Sequence, residues 1–136
     1  MANPISRLEK LYFRLEAQVA CLAFAFSEID SRPGIVFELG LGHGRSFDHL
    51  RKNLPTREIY VFDRQVDSYP DCTPDADHII LGELSQTLAQ AASRFAGNVI
   101  LAHCDVGSFS AEHNKTMSTI VSDHLPPALA DGALIL

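Results

Sequence analysis

Apolar residues recur every three or four positions near the start of the chain: Ile5, Leu8, Tyr12, Leu15, Val19, Leu22, Phe26 and Ile29 form one helical stripe. With Asn3 as cap and Pro4 at the first helical position, the pattern predicts an amphipathic helix over about residues 4–30, packed on the core or on a dimer partner. Pro33 and Gly34 end it. The pattern then changes to short apolar runs separated by helical stretches. Strands are predicted at Ile35 to Leu39, Glu58 to Phe62, His78 to Leu81, Asn98 to Ala102, and from Ala133 onward after a turn at Asp131 and Gly132. Helices are predicted from Ser46 to Asn53, Ser85 to Ala96, and Ser110 to about His124, with a Pro-containing surface loop from Tyr69 to Asp77.

Strands and helices alternating at this spacing imply βαβ units: a Rossmann-like open parallel sheet with helices on both faces. In such sheets ligands bind beyond the carboxyl ends of the strands, next to the first strand. Those ends hold Glu38, Gly40, Leu41, Gly42, His43 and Gly44 after strand one, Asp63 and Arg64 after strand two, Gly82 and Glu83 after strand three, and His103, Cys104 and Asp105 after strand four. The glycines allow a tight turn and close approach to main-chain N–H groups, and the helix start that follows favours an anion. An acid at the end of strand two, here Asp63, can accept both hydrogen bonds of a ribose diol. The glycine spacing is GxGxG, with Arg45 where the dinucleotide fingerprint has further spacing, and this counts against a nicotinamide-dependent oxidoreductase.

An acid followed by xGxGxG resembles the first motif of the class I S-adenosylmethionine-dependent methyltransferases. Asp63 is similar to that family's strand-two acid, Gly82 and Glu83 to its Gly-Asp after strand three, and Ala102 to Asp105 to its fourth motif. Leu125 to Leu136 resembles its passage into strand five. The resemblance implies S-adenosylmethionine as cofactor and a small-molecule methyl acceptor. Gly40, Leu41, Gly42, His43 and Gly44 would shape the loop under the methionine part, Glu38 would serve its ammonium and Ser46 its carboxylate. Asp63 would take the ribose, Arg64 would flank the adenine, and Glu83 or the backbone of Leu84 would meet its amine. Asp105, with His103 second, is the candidate for accepting a proton or holding the acceptor. A binding module with the same pocket and no turnover is the alternative.

Composition narrows the setting. The 136 residues suit one domain. Eleven Lys and Arg against seventeen Asp and Glu, scattered along the chain, disfavour a nucleic-acid surface. Cys21, Cys72 and Cys104 form no CxxC, which points to a reducing cytoplasm. No membrane span or export signal is read, and no ligand spacing brings His103, Asp105 and His113 together on a metal. The text stops on the apolar Ala133 to Leu136, where strands six and seven of the family sheet would follow. The expectation is a shortened form of a longer protein, or a homodimer through the strand-five edge or the N-terminal helix.

Overall fold

A computed structural model describes residues 3–136. In chain order the elements are α1 (Arg7–Ile29), β1 (Ile35–Leu39), α2 (Arg45–Asn53), β2 (Ile59–Asp63), β3 (Ile79–Leu81), α3 (Leu84–Arg94), β4 (Val99–Cys104), α4 (Ala111–His124) and β5 (Leu129–Ile135). Short 3-10 turns lie at Pro70–Cys72, Ala76–His78 and Pro126–Ala128. The sheet runs β3-β2-β1-β4-β5 and every neighbouring pair is parallel. The strand order reverses between β1 and β4, so a crevice opens at the carboxyl end of β1.

Alternation along the strands builds two cores, one on each face. Val36 and Val61 point to one side with Leu22, Ile29, Phe47 and Leu50 of α1 and α2. Phe37 and Phe62 point to the other with Leu88, Ala91 and Phe95 on and after α3. The central strands are covered on both faces, which is why they read as unbroken apolar runs.

Several expectations need correction. The cap of α1 is Ser6 rather than Asn3: Ser6 Oγ accepts from the Glu9 N–H while Glu9 accepts from the Ser6 N–H, a reciprocal box that starts the helix at Arg7. The apolar stripe of α1 is only partly core. Leu22, Ala25 and Ile29 are buried, but every residue from Asn3 to Ala17 is exposed. β4 runs on to Cys104, so His103 lies inside the strand instead of after it. Asp131 and Gly132 make no turn before β5; they lie within it, at a register shift opposite the stretch from Val99 to Leu101. Arg32 donates to both their carbonyls, which holds the irregular stretch in place.

Candidate functional site

The parallel register sets Glu38 of β1 beside His103 of β4, 65 residues apart in sequence. Glu38 is 0% exposed and His103 4%. His103 Nδ1 lies 2.6 Å from Glu38 Oε1, and its Nε2 lies 3.3 Å from the side-chain amide of Gln18 on α1. A neutral ring that donates through Nδ1 and accepts at Nε2 satisfies both contacts. Glu38 Oε2 is buried with no hydrogen-bond partner. Burial pushes the Glu38 carboxyl upward, against the lowering effect of His103 and of the nearby Ser46 hydroxyl. Burial opposes charging of His103, yet the Glu38 hydrogen bond and charge together carry its pKa upward. Both directions say the same thing: the pair keeps its protons to higher pH than the separate groups would.

Past β1 the chain turns through the glycine loop, where Gly42 differs from Gly40 and Gly44. Gly44 has φ +89°, and a Cβ there would collide with the Cys72 carbonyl in the loop after β2. Gly42 has φ +52°, and a Cβ on it would meet nothing within 4 Å. One therefore receives the chain's own backbone, while the other faces open space where a ligand can approach. Gly40 resembles Gly44, packed against the carbonyl of Asp105. Asp63 binds this loop directly: Oδ2 accepts from the N–H groups of Leu41 (2.9 Å) and Gly42 (3.3 Å), and Oδ1 from that of Arg64 (2.6 Å). α2 starts at Gly44 with no side-chain cap, and Ser46 is half-buried in its first turn.

Two clefts flank the loop. One, of about 230 Å³, is lined by Phe62, Asp63, Arg64, Gly82, Glu83 and Leu84 from the strand ends and by Val106, His113 and Met117 from the other side. At its rim Arg64 and Glu83 form a loose, exposed ion pair at 4.0 Å. The second, of about 330 Å³, lies between α1 and the ends of β4 and β5; Arg14, Gln18, Cys21, His103, Asp105 and Leu136 line it. A larger cavity of about 610 Å³ sits at the opposite end of the sheet around Arg57, which donates to the carbonyls of Ile29, Arg32 and Gly34. That is the amino end of the strands, where this architecture places no ligand, so position outweighs volume.

The loop after β2 closes over the glycine turn. The His43 ring stacks on Tyr69 at 5.5 Å, and Arg45 donates to the Tyr69 hydroxyl. Tyr69, Cys72, Gln18, Val106 and Met117 all escaped sequence reasoning. Met117 follows His113 by four residues on α4, a spacing that puts both on one helix face and was there to be read. His113 Nε2 lies 3.1 Å from the Val106 carbonyl, a local bond. Cys104 is half-buried and its thiol is pushed up to about 11 by burial, which keeps it unreactive.

The five parallel strands, the reversal beside β1, the glycine loop and the acid ending β2 define a Rossmann-like nucleoside-binding fold of the methyltransferase type. The groups present fit S-adenosylmethionine: an unmatched buried carboxylate oxygen, a bare glycine cradle, and a cleft with an acid at each end. Comparison with known proteins agrees. Residues 5–136 match the profile of the S-adenosyl-L-methionine methyltransferase family, and the chain belongs to that family. A crystal structure of an S-adenosyl-L-methionine methyl transferase from Silicibacter pomeroyi DSS-3 superimposes with a TM-score of 0.90 at 40% identity, over 97% of this chain and 81% of that one. The comparison with curated proteins gave no match. The protein is thus an S-adenosylmethionine-dependent methyltransferase. Among the described residues no helix is long and apolar enough to cross a membrane.

Proposed function

We propose that the chain methylates a small molecule seated in the cleft between α1 and the ends of β4 and β5. The observation that carries this reading is the place of Asp105. Its backbone packs against Gly40 of the cofactor loop, while its exposed side chain lines the 330 Å³ cleft. A volume of that size is at the lower end of small-ligand pockets and has their make-up, apolar walls from Ala17, Leu22 and Leu136 with a few polar groups. The cations on the chain are too scattered for a phosphate backbone.

Bound S-adenosylmethionine supplies an activated methyl group on a sulfonium, so the protein's work is alignment and exclusion of water. The geometry supports the following roles. Glu38 Oε2 would accept from the cofactor ammonium, and the uncapped start of α2 with Ser46 would face its carboxylate. Asp63, which holds the glycine loop at Leu41 and Gly42, would also serve the ribose. Leu84, Val106 and Met117 line the cleft that would hold the adenine, with Glu83 and Arg64 at its rim. His103 is a positioning residue: both ring nitrogens are engaged, and it fixes Glu38. Asp105 touches the acceptor and takes its proton when the attacking atom carries one.

The test is methyl transfer from radiolabelled S-adenosylmethionine into separated extract fractions. The proposal predicts label in the small-molecule fraction, reduced at least tenfold by Asp105→Asn while cofactor binding persists. Label found only in RNA or protein would overturn it.

A further inference from the structure

From Leu8 to Ile29 seven apolar positions of α1 follow one another in steps of four and three (8, 12, 15, 19, 22, 26, 29), with Leu11 beside the series and Phe13 and Phe24 on other faces. This is the a/d seam that one helix offers to another. Its two halves have different surroundings. The Leu22 to Ile29 half is docked on the sheet, whereas Leu8 is 76% exposed, Tyr12 60%, Leu15 44% and Val19 53%. The exposed half is nonetheless a well-started helix, closed by the box of Ser6 and Glu9. An apolar stripe of this length standing clear of the body is a helix waiting for a helical neighbour.

We propose that this neighbour is the same segment of a second copy, packed antiparallel about a two-fold axis between Tyr12 and Leu15, with Leu8 of each copy against Val19 of the other. Antiparallel pairing is the arrangement the fold permits. A parallel partner would run into the sheet that already covers Leu22, Ala25 and Ile29, while an antiparallel one runs outward into solvent. The area is of the right order: the exposed surfaces of Ile5, Leu8, Leu11, Tyr12, Leu15 and Val19 amount to roughly 600 Å² per copy, so their full burial gives at most about 1,200 Å² in all, where specific stable interfaces begin. The seam is also self-complementary, since a two-fold sets the one aromatic of its exposed half, Tyr12, against Leu15 twice.

Sedimentation velocity across the micromolar range tests the dimer. The wild type is expected at twice the chain mass, and Leu15→Glu, which places a carboxylate against Tyr12 of the partner, at the chain mass. Leu15 is outside the core, so circular dichroism and S-adenosylmethionine binding should stay at wild-type values in that variant. In a Cys21→Ser background, the L8C/V19C chain should close into a covalent dimer without reductant. These two positions lie eleven residues apart on one helix, so a bond between them joins two chains. A monomeric wild type, a dimer that survives Leu15→Glu, or a failure to cross-link would each overturn the proposal.

Discussion

Replacing His103 by alanine removes the hydrogen bond that Glu38 makes, and leaves a carboxyl group of zero exposure with both oxygens unmatched. The carboxyl escapes by taking a proton, and this sets both the size and the pH dependence of the penalty. In the wild type both groups keep their protons to higher pH than they do in the unfolded chain. Removing His103 removes the partner that holds the Glu38 carboxyl down, so in the variant burial carries its pKa further up and the folded state needs a proton that the unfolded glutamate has released. The penalty therefore grows as pH rises above the ordinary glutamate value of 4.5. Near pH 7 it should be of the order of the ~3–5 kcal/mol seen when one partner of a buried pair is removed. For a domain of this size that is a Tm drop of roughly 10–15 °C at pH 7, and a smaller one at pH 5. Thermal unfolding of wild type and His103→Ala at half-unit pH steps measures it, and adding Glu38→Gln should abolish the pH dependence. A difference in Tm that does not change between pH 5 and 7 would refute the reasoning.

Other outcomes follow from the same geometry. Gly44→Ala should cost at least 2 to 3 kcal/mol by chemical denaturation (on the order of a strained residue plus a collision), while Gly42→Ala should cost about 1 kcal/mol and mainly weaken cofactor binding. His78 sits between Asp75 (2.8 Å) and Glu58 (2.7 Å) and ties the loop after β2 to the start of that strand. These carboxylate hydrogen bonds raise its pKa above the ordinary 6.5 against the opposing effect of burial, so its contribution is full below pH 6.5 and fades as pH rises through the higher folded value. Hydrogen exchange in residues 64–78 should quicken as pH is raised past that point, beyond the intrinsic increase, and His78→Gln should remove the excess. Asp105→Asn should lower kcat with an unchanged cofactor Kd, as read by single-turnover kinetics and calorimetry.

The strands were legible where the chain is apolar on both faces: Ile35 to Leu39 is bounded by Gly34 and Gly40, so pattern and punctuation agree. The glycine loop and Asp63 were legible from spacing: three alternating glycines follow an acid at the end of one strand, and a second acid ends the next. The Glu38 and His103 pair was not. It depends on the register of two parallel strands and on β4 continuing to Cys104, and local sequence encodes neither. Similarly, Asp131 and Gly132 have turn chemistry, but Arg32, about a hundred residues away, holds them inside a strand. The α1 stripe reported an apolar face, of which the structure covers only Leu22 to Ile29, since periodicity says which side seeks burial and not what buries it.

Calorimetric titration of S-adenosylmethionine into wild type and Asp63→Ala, side by side, tests the placement of the cofactor most directly. Asp63 is half-buried and joins the glycine loop to the end of β2. Removing such a partner is worth about 1–3 kcal/mol, so the account predicts one site per chain and a Kd raised roughly 5- to 150-fold in the variant. Equal dissociation constants for the two proteins would contradict it.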